Sequence, residues 1–272
     1  MGMVTLLYHR VHPEFGVPPQ EFKKQMEFLK KRFKVLSLEE ATKGKTPFPS
    51  ALITFDDGFY DVFHYAYPIL KELSLPAVIF VSPERLLNSE EVRKTPEPSN
   101  CSTYEAFKNS FLEGDNSAFL TWGELREMGD IFSVQSHALT HRAAIGEGGK
   151  PFKEKEDWRI FSLPEEERMR VKAGTPLTSI LVKDRKEAEM EFSLSKEIIE
   201  KKLGKEVYTI AFPWGIYDRE LLETAKKLGY RHCFTTERGW NAKELPFKVK
   251  RLAVGEKKSL RWFKIRSLLY SL

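Results

Sequence analysis

An α/β fold, laid out as a parallel sheet or closed into a (β/α) barrel, follows from three observations. Short apolar runs alternate with segments of helical period from one end of the chain to the other. The length, 272 residues, suits one such barrel, which takes about 250 residues. The run Ala51-Leu52-Ile53-Thr54-Phe55 stops on Asp56-Asp57-Gly58, which puts two carboxylates at a strand's C-terminal tip, where parallel α/β folds carry their chemistry. Taken alone, Asp-Gly after a strand is also an ordinary turn signal.

Each element has its own signal. Residues 3–9 form an apolar strand ending at His9. Pro18 and Pro19 open a helix in which Phe22, Met26, Leu29 and Phe33 recur at three- and four-residue spacing. Ser37-x-x-Glu40 is a capping-box signature for a short helix. A strand over 51–56, a helix over 59–73 and a buried strand over 77–81 follow. Thr121-x-x-Glu124 is a second capping box, leading a helix to Met128, and 131–137 is the next strand. A helix over 186–203 ends before Gly204, a residue suited to a left-handed C-terminal cap. The strand at 207–212 is cut off by Pro213-Trp214-Gly215. A helix over 218–228, strands at 231–236 and 249–254 and a helix over 259–270 complete the series. Two stretches lack a period, 84–120 and 142–185, and read as functional excursions. No repeat or composition break marks a second unit, so one catalytic domain over 1–272 is expected.

Composition narrows the class. The net charge of +5 is spread along the chain without the dense basic block that nucleic-acid binding needs, so no such partner is expected. Cys101 and Cys233 lack metal-ligand spacing and read as free thiols. The first nine residues have neither the charged start nor the long apolar core of a signal peptide or membrane span. The expectation is a cytoplasmic protein, at the inner face of the membrane if its tail binds lipid.

In a parallel barrel the strand tips share one mouth. Those tips carry His9, Asp56, Asp57, His137 with His141 four residues on, and Pro213-Trp214-Gly215. One Asp and two His make a ligand set for Zn²⁺, and also for Co²⁺, Ni²⁺ or Fe²⁺. Three protein ligands leave positions open for water and substrate, which is the catalytic pattern. His-x-x-x-His pairs also arise in proteins that bind no metal. His12, before Pro13, His64, in a helix, and His232, in a strand, read as structural.

Thr54-Phe55-Asp56-Asp57-Gly58 and Ser136-His137-Ala138-Leu139-Thr140-His141 resemble the first two motifs of the polysaccharide deacetylases, the NodB-homology group or carbohydrate esterase family four. Ala211-Phe212-Pro213-Trp214-Gly215 is similar to their third. The resemblance covers residues 3–255 and keeps the family's motif order. It implies a distorted (β/α) barrel of seven strands. It further implies that Asp57, His137 and His141 bind the metal, that Asp56 is the general base, and that the Trp214 segment lines the substrate groove and offers a backbone N–H to the oxyanion. Three positions depart from the pattern. Ala211 stands where an Arg that pairs with the base is usual, and Ala138 follows the first His in place of Ser or Thr. No Leu-x-His lies near the C-terminus, where many members carry their general acid. Leu7-Tyr8-His9 lies near the N-terminus instead, and Tyr8-His9-Arg10-Val11 resembles the opening of a permuted branch typified by poly-N-acetylglucosamine deacetylases. His9 is therefore the candidate general acid. Arg251, near the end of the last expected strand, is the candidate partner of Asp56, and is grouped with Pro213, Trp214 and Gly215 among the residues expected at the substrate.

The implied reaction removes an N-acetyl, or an O-acetyl, group from a polymeric, oligomeric or lipid-linked sugar. The metal makes water more acidic and polarises the carbonyl; Asp56 takes the water's proton and His9 protonates the leaving amine. Trp214 and Trp240 offer flat faces for sugar rings. Two other readings fit the same residues: an amidohydrolase acting on a small non-sugar amide, and a carbohydrate-binding protein with a decayed active site. In the tail, Leu260, Trp262, Phe263, Ile265, Leu268, Leu269 and Tyr270 interleave with Arg261, Lys264 and Arg266. Such a basic amphipathic helix suits an anionic membrane surface or simply closes the barrel.

Overall fold

The computed structural model describes residues 2–44, 47–94, 98, 100–242, 244–255 and 258–271. In chain order its elements are β1 (Met3–Tyr8), α1 (Pro19–Arg32), β2 (Lys34–Val35), α2 (Leu38–Thr42), β3 (Ser50–Phe55), α3 (Tyr67–Leu73), β4 (Ala77–Val81), α4 (Thr103–Leu112), α5 (Trp122–Glu127), β5 (Phe132–Ser136), β6 (Ala143–Pro151), α6 (Glu165–Arg168), β7 (Pro176–Ser179), α7 (Ile180–Lys183), α8 (Arg185–Leu203), β8 (Thr209–Ala211), α9 (Arg219–Lys227), β9 (His232–Phe234), β10 (Lys248–Val249), β11 (Leu252–Ala253) and α10 (Leu260–Leu269).

The central sheet is parallel, in the order β10-β9-β8-β5-β4-β3-β1-β11, with β2 also on β3. The strand expected over 249–254 is broken in two. Its first part pairs with β9, Lys248 opposite Cys233, and its second with β1, Leu252 opposite Leu6. Asn241 holds the break, accepting from the Lys250 N–H and donating to the Lys250 carbonyl. One segment thus touches both edges of the sheet, and the strands close into a distorted barrel with the seven expected positions around it.

The strand expected at 207–212 is only three residues long. Gln135 Oε1 accepts the N–H groups of Tyr208 and Thr209, so a side chain takes the place of ladder bonds there. The helix expected over 59–73 begins as a π-turn over Val62–Ala66. Pro68 has no N–H for the His64 carbonyl, and the ladder widens so that the Tyr67 N–H reaches the Val62 carbonyl.

Every residue of β1, β3 and β4 is buried, as strands covered on both faces must be. One set of alternates, including Met3, Leu52, Val78, Phe80 and Phe234, fills the barrel. The other, including Leu6, Tyr8, Ile53, Phe55 and Ile79, packs under the helices. Both expected capping boxes form, and a third, Ser102 with Glu105, starts α4 inside the first excursion. The second excursion is built on the antiparallel hairpin β6/β7, which leaves the barrel two residues after His141. Cys101 and Cys233 are both free.

α10 packs on α1. Phe263 and Ser267 are buried, and Phe263 meets Phe28 edge-on with centroids 6.2 Å apart. Ile265, Leu268 and Leu269 stay 48%, 37% and 51% exposed. Phe263→Ala should therefore destabilise the fold by about 3–5 kcal/mol, whereas Leu269→Ala should shift it by no more than about 0.5 kcal/mol. Urea unfolding followed by circular dichroism would measure both, and equal effects would show that α10 does not clamp the barrel.

Candidate active site

Alternation along β3 points Leu52, Thr54 and, one step past the strand, Asp56 into the barrel. The same alternation would send Asp57 to the opposite face. The backbone instead turns left-handed, with φ 74° at Asp57 and 75° at Gly58, and both acids enter one mouth. His137 continues the inward parity of Ser133 and Gln135 beyond β5, and its N–H is fixed on the Val81 carbonyl. The turn from His137 to His141 has φ 60° at both Ala138 and His141, and Trp214 has φ 55°. Left-handed backbone at a non-glycine residue costs on the order of 1–3 kcal/mol. Four such residues stand around this one mouth.

Asp57 Oδ1 lies 3.3 Å from Nε2 of both His137 and His141, and the two Nε2 atoms are 3.2 Å apart. All three side chains are buried. His137 Nδ1–H donates to the Ala211 carbonyl at 2.8 Å, which leaves the Nε2 lone pair facing the cluster. Burial by itself raises the Asp57 carboxyl, but the two imidazoles beside it and the charge of nearby His9 outweigh this and hold the group well below its ordinary range. A carboxylate and two imidazole nitrogens, all within 4.8 Å of one another, are the donor chemistry of a borderline divalent cation, and the residues present fit one.

Asp56 sits beside this cluster in a different grip. Arg251 Nη1 and Nη2 donate to its two oxygens at 2.7 and 2.8 Å. The guanidinium is itself fixed by Nε–H on the Thr235 carbonyl at 2.8 Å and by Thr54 Oγ1 at 3.3 Å, and it lies near the Phe80 and Phe234 rings. Burial would raise the Asp56 carboxyl; the charges of Arg251 and His137 more than offset this and keep it below its usual value. Arg251 is 0% exposed. That corrects its grouping with the substrate residues: a side chain sealed in the barrel holds the acid and cannot meet a ligand.

The cluster opens into a cleft of about 420 Å³ whose walls include His9, Arg10, Phe15, Trp158, Trp214 and Thr236. His9 is exposed, at the rim beside both acids. Pro213 and Gly215 set the turn that presents Trp214; Gly215 has φ 65°, and a Cβ there would collide with Thr236. Trp214 meets His141 edge-on at 4.9 Å. Trp158 stacks on Phe107 with centroids 3.5 Å apart and lies 5.6 Å from Trp214. Trp158 went unread in the sequence because it falls in the aperiodic excursion 142–185. Trp240 does not join the cleft. It stands against Gly2 at the opposite end of β1, because Asn241 pairs with Met3 there. His12 accepts the N–H groups of Glu14 and Phe15, and His232 bonds the Pro246 carbonyl, both away from the cluster.

The sequence profile described as polysaccharide deacetylase matches residues 43–233. His9 and Arg251 lie outside that match. The chain is 24% identical over 228 residues to the poly-beta-1,6-N-acetyl-D-glucosamine N-deacetylase of Staphylococcus aureus, covering 82% of this chain and 62% of that protein. It spans less than two thirds of the length of the curated relatives it matches, 64% and 62% for two of them. Among solved structures it shares its fold with a deacetylase of Streptococcus pyogenes determined with acetate (TM-score 0.65, 22% identity, 100% of this chain and 99% of that one). A de-N-acetylase from Aggregatibacter actinomycetemcomitans gives a TM-score of 0.68 at 18% identity, over 97% of this chain and 99% of that one. IcaB from Ammonifex degensii gives 0.65 at 19%, over 100% and 97%.

The Arg251–Asp56 pair yields a double-mutant test. Arg251→Met alone leaves a buried carboxylate without its cation and should cost about 3–5 kcal/mol of stability. Adding Asp56→Asn should recover a large part of that loss. A double variant no more stable than Arg251→Met would show that the two side chains are energetically independent.

Proposed function

The chain belongs to the polysaccharide deacetylase family, and from that premise we propose that it hydrolyses N-acetyl groups on an N-acetylglucosamine polymer with a divalent cation, zinc in the first place, held by Asp57, His137 and His141. The observation that carries this reading is the division of labour between adjacent acids. Asp57 faces two imidazoles, and Asp56 is kept ionised and oriented by Arg251.

The bound cation would supply Lewis acidity toward both water and the acetyl carbonyl. The protein's own groups would do the rest. Asp56, with its two oxygens fixed by one guanidinium, presents its remaining lone pairs to the mouth and takes a proton from the attacking water. His9, exposed at the rim, hands a proton to the departing sugar nitrogen, which otherwise leaves as a poor amide anion. In the Pro213–Gly215 turn the N–H groups of Gly215 and Ile216 are spent on the carbonyls of Phe212 and Pro213. The Trp214 N–H is the donor of that turn not used this way, and it serves the developing oxyanion. Trp158 and Trp214 form an aromatic ridge beside the cluster, which favours a sugar ring over a small aliphatic amide. A binding protein with a decayed active site would have no need of an Arg beside the base; Arg251 holds Asp56 here, which speaks against that reading.

The partner surface is proposed on separate grounds. Ile265, Leu268 and Leu269 are exposed on α10 among Arg261, Lys264 and Arg266, an arrangement suited to peripheral contact with an anionic membrane. No helix among the described residues is long and apolar enough to cross one.

Acetate release from N-acetylglucosamine oligomers should vanish on chelation and return with zinc; turnover that survives chelation would rule out the metal role. Asp56→Asn should bind zinc normally yet lose about 10²–10⁴-fold in kcat. His9→Ala should slow N-acetyl cleavage far more than cleavage of an activated acetyl ester, whose leaving group needs no proton, and equal losses on both would remove His9 from the acid's place. Replacing both Ile265 and Leu269 by Glu should abolish co-sedimentation with phosphatidylglycerol vesicles without changing acetate release. Undiminished vesicle binding would dismiss α10 as the contact.

A further inference from the structure

We propose that Glu191, on α8, is the positioning residue that holds the His137–His141 loop in metal-binding shape; this rests on the reading of those histidines as ligands. The loop between them is buried, with Ala138, Leu139 and Thr140 at most 5% exposed. Its N–H groups therefore need acceptors from the protein. Glu191 Oε2 accepts from the N–H of Leu139 at 2.9 Å and of Thr140 at 3.0 Å, and Oε1 accepts from the Thr140 hydroxyl. The Ala138 N–H goes to Ser136 Oγ at 3.2 Å, and that hydroxyl is 2.8 Å from Ser195 Oγ. Glu191 and Ser195 lie one helical turn apart on the buried face of α8, alongside Ala188, Phe192 and Ile199. One turn of one helix thus answers, directly or through Ser136, all three interior N–H groups of the loop. Farther along, Thr140 Oγ1 accepts the Arg142 N–H at 3.2 Å, which carries the same grip past His141.

Arg142 and Arg85 lie close enough to feel the charge of Glu191, but the hydrogen bonds of this acid go to the loop. Glu191 is 0% exposed, and a buried carboxylate is costly unless its lone pairs are used. Its neighbours on that helix face are apolar or small, and a leucine would pack there without the cost. What a leucine cannot do is accept hydrogen bonds from a loop whose backbone is left-handed at Ala138 and His141. Without an acceptor, those residues relax toward ordinary φ, and the two Nε2 atoms lose their 3.2 Å approach.

The test is zinc affinity of the full chain, measured by competition with a chromophoric chelator. Glu191→Leu should weaken zinc binding about 10–100-fold, the usual cost of losing a group that orients metal ligands. Glu191→Gln should weaken it far less than Glu191→Leu, because its carbonyl can still take both N–H groups, and only the Thr140 hydroxyl, whose Oγ1 already accepts from the Arg142 N–H and Nε–H, loses its acceptor. At saturating zinc the Leu variant should regain most of its kcat, as expected of a residue that places ligands and does not touch substrate. Thr140→Val, which removes one of the three donors, should weaken zinc to a smaller degree and serves if Glu191→Leu fails to fold. A folded Glu191→Leu or Thr140→Val chain that binds zinc as tightly as the parent would overturn the assignment, as would a Glu191→Leu kcat that stays low at saturating zinc. A parent chain that binds no zinc would overturn the metal reading along with it. Since affinity is the readout, an error in the glycan substrate alone would leave this result standing.

Discussion

The ion pair between Arg251 and Asp56 constrains more of this molecule than any other contact. It joins residues 195 positions apart, and its guanidinium is sealed from water. A buried guanidinium demands acceptors on every side. Arg251 meets that demand with the Thr235 carbonyl, the Thr54 hydroxyl and both Asp56 oxygens. These partners sit at the tips of β3 and β9, so the pair forms only if the segment 248–253 crosses between the two edges of the sheet. The broken strand, which looks like a defect in the ladder, is the geometry that delivers Arg251 to its acid. Barrel closure and the orientation of the candidate base are one structural event.

A second economy concerns strain. The mouth concentrates left-handed backbone at Asp57, Ala138, His141 and Trp214, none of which is glycine. At Asp57 the turn brings in a side chain that strand alternation would otherwise aim elsewhere. The surroundings fix them: Gly58 beside Asp57, Glu191 under the histidine loop, and Gly215 against Thr236 beside Trp214. Rigid support next to strained backbone is what a site needs if its ligands are to converge before any ion arrives.

Much of the fold and of the site was legible in the sequence, and the limits have physical causes. Apolar strands covered on both faces announce themselves as continuous runs, so 51–56 and 77–81 could be read to within a residue. Asp56, Asp57, His137 and His141 stood out because they follow such runs directly. Arg251 could be named as the partner of Asp56 but not placed, since sequence does not show whether a guanidinium near a strand's end is sealed inside the barrel or lies at its mouth. The break at Lys250 was invisible because it depends on Asn241, a residue from a loop. Trp158 sits in a stretch with no period and gave no signal. Glu191 did leave a trace: an acid among Ala188, Phe192, Ser195 and Ile199 on the inner stripe of an amphipathic helix. A charge at a buried helical position is a sign that something nearby lacks an acceptor.

The pairing of β1 with β11 also brings an early and a late segment of the chain together. The stretch 43–233 carries the candidate metal ligands and the candidate base, but the candidate acid comes before it and the arginine paired with that base comes after it. Without the segment after α9, Asp56 would have no Arg251 beside it and β1 no β11 on its outer side. The segment 248–253 thus serves two ends at once, spanning from β9 to β1 and placing Arg251 against Asp56.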